Sequence, residues 1–256
     1  MTDDTRARLT WIGHATVLLE LAGVRVLTDP LLRSRLGHLR RHGPAPTDEA
    51  TRGLDAVLIS HLHLDHLDLP SLRRLDAGVR LLVPHGAGGF LRRLGFAQVQ
   101  ELEVGERTRI GELDVLAVEA LHDGRRQPLR RTAAEAIGFV LEGSRRVYFA
   151  GDTDLYDDMA ALAGSLDVAL LPVWGWGPTL GEGHLDPGRA AQAAALLAPR
   201  LAIPIHWGTF YPRGLGRLRP APLRDPPHAF AAQVAALAPD VEVRVLSPGG
   251  SVALPT

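Results

Sequence analysis

Apolar runs in this chain are short, and almost every one is cut off by Gly, Asp, Pro or His. Residues 9–21, 24–28, 54–60, 79–83, 99–104, 108–120, 136–142 and 146–150 follow this rule, which is the pattern of β-strands separated by turns. Gly105, Gly111 and Gly143 punctuate the middle of the chain, which reads as antiparallel strands and hairpins. Helical patterns come late. Residues 154–163 form one candidate and 227–237 another. The strongest is 186–197, where Asp186 can cap the first turn, Pro187 suits the first helical position and the body is alanine-rich. A last strand is expected over 241–246. Many strands with helices placed between the later ones point to an α+β chain, its sheets packed face to face and its helices outside. The 256 residues suffice for one such domain spanning 1–256, with no repeat or linker to divide it. The stretch 32–52, rich in Arg, His, Gly and Pro, reads as a long irregular loop.

The chemistry open to the chain is narrowed by what it lacks. Cys is absent, which removes disulfides, thiolate nucleophiles and cysteine metal sites together. All 28 basic residues are arginine, so a Schiff base, a lysine base and a Walker-type phosphate loop are excluded. No G-x-S-x-G elbow occurs, and the glycines at 86–89 lack dinucleotide-binding spacing. Basic and acidic residues nearly balance, 28 against 29, which argues against nucleic acid as a partner. No segment approaches the roughly 18–20 apolar residues of a membrane span, and residues 1–10 lack the apolar core of a secretory signal. A cytoplasmic protein without an integral membrane segment is therefore expected. Histidine, with 11 copies, is left to carry the difficult chemistry.

Three of those histidines matter first: residues 61–66 read HLHLDH, directly after an apolar run. In a nearly extended segment His61 and His63 point the same way, so both imidazoles can reach one metal ion at about 2.0–2.1 Å. Asp65 and His66 follow and can face a second ion, while Leu62 and Leu64 are expected to point inward. Such a concentration of imidazoles would be an odd way to build a core, since each would need its own buried partner. More ligands should lie at the ends of other strands. His122 follows the run 115–121, Asp152 follows 146–150 and one glycine, and His206 follows 201–205.

The segments WIGHATVLLELAGVRVLTDP, HLHLDH, AGDT and IHWGTF, with GHLDP at 183–187 before an alanine-rich helix, resemble the metallo-β-lactamase fold superfamily. The likeness is to its branch containing N-acylphosphatidylethanolamine-hydrolysing phospholipase D and ascorbate-6-phosphate lactonase. It implies a four-layer αββα sandwich with a dinuclear site at one edge, usually two Zn2+, although Mn2+ or Fe2+ suit the same nitrogen and oxygen ligands. By matching motifs, His61, His63 and His122 hold the first ion, Asp65, His66 and His206 the second, and Asp152 bridges. Histidine at 63, where flavo-diiron relatives carry glutamate, disfavours oxygen or nitric oxide reduction.

Two such cations roughly 3.5–4 Å apart would lower the pKa of a bridging water toward 7 and supply a hydroxide without any protein nucleophile. The implied activity is hydrolysis of a small ester, a phosphodiester or a lactone, with Asp65 orienting the hydroxide or taking its proton. His184, opening the loop before the 186–197 helix, is assigned to substrate contact or leaving-group protonation. Asp29 in LTDP is expected to hydrogen-bond a ligand or the motif loop, and His14 in GHAT to support the site or sit in the core. Trp174 and Trp176 follow a strand and would wall a pocket or pack under a loop. Two arginine-rich segments, Arg33, Arg35, Arg40 and Arg41, then Arg125, Arg126, Arg130 and Arg131, would favour an anionic substrate if they face the site. Alternatives are a metal-dependent nuclease, for which the chain lacks an obvious nucleic-acid insertion, and a non-enzymatic metal-binding regulatory module. Loss of a ligand would favour the latter, and none is lost.

Overall fold

The computed structural model describes residues 7–125, 134–175 and 180–254. The first half of the chain forms β1 (Arg8–Gly13), β2 (Thr16–Leu21), β3 (Val24–Thr28), β4 (Arg35–Leu36), β5 (Leu39–Arg41), β6 (Ala56–Leu58), β7 (Arg80–Pro84) and β8 (Val99–Leu102). The second half forms β9 (Arg107–Ile110), β10 (Leu113–Glu119), β11 (Ile137–Glu142), β12 (Arg146–Phe149), β13 (Val168–Pro172), β14 (Leu201–Ile205), β15 (Phe210–Pro212), β16 (Glu242–Val243) and β17 (Gly250–Ala253). Helices α1 (Leu69–Leu72), α2 (Gly88–Arg93), α3 (Pro187–Leu197), α4 (Leu215–Leu218) and α5 (Asp225–Leu237) lie between them.

Two seven-stranded sheets result, in the orders β17-β1-β2-β3-β6-β7-β8 and β16-β14-β13-β12-β11-β10-β9. Each is antiparallel over one part and parallel over the other, the direction changing at β3 in the first sheet and β12 in the second. Side chains alternate across a strand, so a run that is apolar throughout must be covered on both faces. Val17 and Leu19 of β2 join Phe139 and Leu141 of β11 in the central core, whereas Leu18 and Val140, between them, face outward. The outward residues are covered by α3 and α5 on the second sheet, through Ala190, Ala194, Phe230 and Val234, and by Leu72 of α1 and Leu91 of α2 on the first. The result is the expected four-layer αββα sandwich. Among the described residues no helix is long and apolar enough to cross a membrane.

Local chemistry sets the element ends. Asp186 accepts a hydrogen bond from the Arg189 amide at 2.8 Å, with Pro187 next, so α3 starts where expected. The run 9–21 splits into β1 and β2 because Gly13 (φ 126°) and His14 (φ 57°) reverse the chain, and Gly111 (φ 56°) splits 108–120 in the same way. Three expectations need correction. The helix expected at 154–163 is a 3-10 segment, Asp157–Leu162, because Asp154 is fixed by a bridge to Leu121 and an ion pair with Arg189. The stretch 32–52 is not irregular throughout, since β4 and β5 form a hairpin that β15 extends. The final strand is not 241–246 but the pair β16 and β17, and β17 returns to the far sheet to pair with β1.

Gly151 closes the gap between the sheets. It sits at φ 62°, and a Cβ there would fall 2.5 Å from Cβ of Ser60, which lies just after β6 in the opposite sheet. Gly151→Ala should combine left-handed strain with overpacking and cost about 3 kcal/mol. Urea unfolding of the variant beside the wild type measures it, and a loss within experimental error would show that the contact yields freely.

Candidate metal centre

Every expected site residue among the described ones converges on one edge of the sandwich, carried by loops that leave different strands. Asp29 follows β3, and residues 61–66 follow β6; His122, Asp152 and His206 follow β10, β12 and β14. His14 comes from the β1–β2 turn. Two donor groups form, His61 with His63 and His122, and His14 with Asp65, His66 and His206, each with its ligand atoms within 4.8 Å of one another. Asp152 lies between. Its Oδ2 is 3.3 Å from His66 Nε2, its Oδ1 is 3.3 Å from His206 Nε2, and it also groups with His122 and His184.

The histidines are oriented from behind. The Nδ1–H of His66 donates to Asp29 Oδ2 (2.7 Å), that of His122 to the Gly183 carbonyl (2.7 Å), that of His206 to the Trp174 carbonyl (2.6 Å), and that of His61 to Ser60 Oγ (2.9 Å). In each case Nε2 is turned toward the cluster with its lone pair. Nε2 of His66 and His206 are 3.2 Å apart, as are His122 Nε2 and His63 Nδ1. Such closely opposed nitrogens repel unless a proton or a cation lies between them. Nε2 of His61 is buried without any hydrogen-bond partner among the described residues, a costly state for a polar atom. Backs bonded, fronts converging, two acceptors unsatisfied (His61 Nε2 and Asp152 Oδ1): the donor set fits divalent metal.

Electrostatics point the same way. Burial alone would lower the pKa of His66, but the carboxylates of Asp152, Asp65 and Asp29 override it and hold the imidazole well above its usual range. Burial would raise Asp152, yet His206 and His66 hold it well below the usual carboxylate range, and His66 with His14 does the same for Asp65. The carboxylates thus draw positive charge into the centre. Away from them burial wins: His61 is held well below the usual imidazole range, and His122 is pushed down to about 4. These imidazoles remain neutral, as ligation requires.

The supporting residues divide unevenly. Asp29 accepts from the Ser60 amide (2.7 Å) and hydroxyl (2.5 Å) as well as from His66, so it anchors the motif loop as anticipated. His14, buried and pushed down to about 3 by desolvation and by His206, donates through Nε2 to Asp65 Oδ2 at 2.9 Å. Ser60 and Thr209, which accepts from the His14 amide at 2.7 Å, were not anticipated. Ser60 immediately precedes the motif and could have been noticed there, whereas the carbonyls of Gly183 and Trp174 leave no trace in a sequence. His184 stands at the rim, its Nε2 3.9 Å from Asp152 Oδ2 and its ring 4.7 Å from that of His122. Leu62 is fully buried as expected, but Leu64 is 40% exposed, because the chain turns after His63 and carries it outward. Trp174 is half-buried beside Tyr211, and Arg125 is taken up by Asp123. Trp176, Arg126, Arg130 and Arg131 lie outside the described residues.

Known proteins resemble this arrangement. A family model described as a beta-lactamase superfamily domain matches residues 24–207. A UPF0173 metal-dependent hydrolase from Methanopyrus kandleri is 34% identical over 250 residues, covering 95% of this chain and 98% of that protein. N-acyl-phosphatidylethanolamine-hydrolyzing phospholipase D 1 of Caenorhabditis elegans is 31% identical over 230 residues, covering 80% and 64%. The structure of Igni18, a metallo hydrolase from Ignicoccus hospitalis, superposes with a TM-score of 0.76 at 26% identity, covering 98% of this chain and all of that one. With the fold, the donor cluster and these likenesses in agreement, the chain belongs to the metallo-β-lactamase superfamily, among its metal-dependent hydrolases.

Proposed function

We propose that this chain is a dinuclear zinc hydrolase of a small ester, of the phosphodiester or lactone class. The observation that carries the reading is the buried, unpartnered Nε2 of His61 at the meeting point of two donor groups. His61, His63 and His122 would hold one ion and Asp65, His66 and His206 the other, with Asp152 shared. When bound, such a pair supplies Lewis acidity and activates water at neutral pH, so no protein nucleophile is needed. The name of the nematode relative, which hydrolyses a phospholipid ester, supports the phosphodiester side of the choice.

The protein's own groups do the rest. Asp65, ionised and gripped by His14, is placed to orient the attacking water or accept its proton. His184 has Nδ1 near the Glu182 carbonyl (3.3 Å) and Nε2 toward Asp152, so Nε2 is the atom that would protonate a leaving group or hold the substrate. A nuclease remains the competing activity, and the near-neutral charge of the chain is the feature that weighs against it.

Elemental analysis of protein reconstituted with zinc should find close to two ions per chain, and trace metal only would remove the proposal. Asp152→Ala should lower occupancy of both positions; retention of both ions with full hydrolysis of phosphodiester and lactone substrates would refute the shared ligand.

His14→Ala should weaken zinc binding by about 10- to 100-fold, mainly for the ion that Asp65 holds, since it removes the donor that fixes that carboxylate. Competition with a chromogenic chelator reads this directly, and two unchanged affinities would make His14 a core residue only.

His184→Gln should lower turnover by about 100-fold for esters with alkoxide leaving groups and far less for p-nitrophenolate, which needs no proton. An equal loss for both, seen mainly in KM, would reduce His184 to a substrate contact.

A further inference from the structure

Beside the hairpin β4–β5 a surface cavity of about 490 Å³ is lined by Arg33, Arg35, Arg41, Arg74 and Ser34, with apolar residues including Leu32 and Pro46 in its wall. No carboxylate lines it among the described residues. Four guanidiniums meet here, and among the described residues the one acid paired to any of them is Asp68, whose Oδ1 takes Arg33 Nη2 at 2.7 Å. That carboxylate is already committed, since its Oδ2 accepts from the Ser71 hydroxyl and amide.

The innermost arginine is the most telling. Arg41 is 8% exposed, and among the described residues its guanidinium donates only to main-chain carbonyls: Nε to Arg33 at 3.1 Å, Nη1 to Ile12 at 3.3 Å and Nη2 to Leu31. It lies over the Phe210 ring, 4.8 Å from the centroid. Burying a guanidinium without a counter-charge is costly, and carbonyl dipoles offset only part of the cost. Arg74 adds to it. Its Nη1 donates to the Leu32 carbonyl at 2.7 Å; burial first, and then the nearby charge of Arg74, push the Arg41 guanidinium down to about 10, and Arg74 has no acidic partner among the described residues. The Nε of Arg33 is buried and unbonded among the described residues. After the carbonyl bonds are counted, one N–H on each Nη of Arg41 and most of those on Arg74 have no acceptor among the described residues.

We propose that this cavity is a binding site for a phosphate dianion, either free or as a terminal phosphomonoester. Several converging guanidiniums favour a compact divalent oxyanion over a carboxylate, because each can share a different oxygen and the summed charge scales with that of the ligand. The site is distinct from the metal cluster yet stands on the same scaffold. Arg41 pairs in register with Phe210, four residues after His206, and its Nη1 lies 3.0 Å from where a Cβ on Gly13 would sit, next to His14.

The experiment is calorimetric titration of the zinc-loaded protein at pH 8 and constant ionic strength. Inorganic phosphate and glycerol 3-phosphate are the two dianions, glycerophosphocholine is the diester control and chloride the ionic control. Inhibition of ester hydrolysis by phosphate is measured in parallel, because phosphate can also meet the metal. Both dianions should bind with the diester at least fivefold weaker, and a terminal phosphomonoester as the physiological ligand would show glycerol 3-phosphate binding more tightly than inorganic phosphate. Arg74→Gln and Arg35→Gln, both at exposed positions that leave the core intact, should each weaken dianion binding about tenfold while leaving the inhibition constant unchanged. Arg41→Gln should abolish binding if the variant folds. Heat that tracks inhibition alone, equal affinity in wild type and both exposed variants, or an effect reproduced by chloride would each overturn the proposal.

Discussion

The carboxylate of Asp29 is completely buried, and both its oxygens are spent on three donors from the loop that follows β6, the next strand of its sheet. Charge placed so deep is tolerable only when it is fully hydrogen-bonded, and that requirement runs in both directions. It fixes the main chain of Ser60, through Ser60 it fixes the ring of His61, and directly it fixes His66. One aspartate at the end of β3 therefore sets two imidazoles in orientation before any contact from the opposite sheet is made. Its own backbone sits at φ 33°, a strained value for a residue with a side chain, which the surrounding bonds hold in place.

The opposite sheet is tied in through the reversal at Gly13 and His14. The His14 carbonyl accepts from the His206 amide at 3.0 Å and from the Trp11 indole at 2.8 Å, and the His14 ring lies tilted against that of His206 with centroids 3.8 Å apart. Trp11 in turn stacks on Trp207 at 5.0 Å. The β1–β2 turn thus carries a histidine from one sheet and holds the loop that presents a histidine from the other. Both φ values in this junction, 57° at His14 and 62° at His206, are left-handed, so the two rings are aimed by backbone that would relax elsewhere.

Much of this was legible in the residues. The strands, the capped start of α3 and the convergence of HLHLDH with His122, Asp152 and His206 all follow from local signals: apolar runs, a cap, and polar residues at strand ends. What was hidden depends on distance in sequence. Nothing local in 32–52 announces β4 and β5, because a two- and three-residue strand has too little pattern to register and is stabilised by β15 from far along the chain. The return of β17 to β1 is hidden for the same reason, as it pairs residues separated by most of the sequence. At the site, Ser60 was within sight, but the carbonyls of Gly183 and Trp174 belong to backbone whose course only folding decides. Leu64 fell on the wrong face because alternation holds for extended chain, and the chain stops being extended one residue earlier.

Each seven-stranded sheet contributes only part of the donor set. The first supplies His61, His63, Asp65 and His66; the second supplies His122, Asp152 and His206. A cation held by donors from both sheets would work as a fastener across their interface. Its binding energy is then also cohesion energy: at a free concentration one hundred times the dissociation constant, a ligand seen only by the folded state adds about 2.7 kcal/mol to stability. Separation of the halves and escape of such an ion would then become a single event.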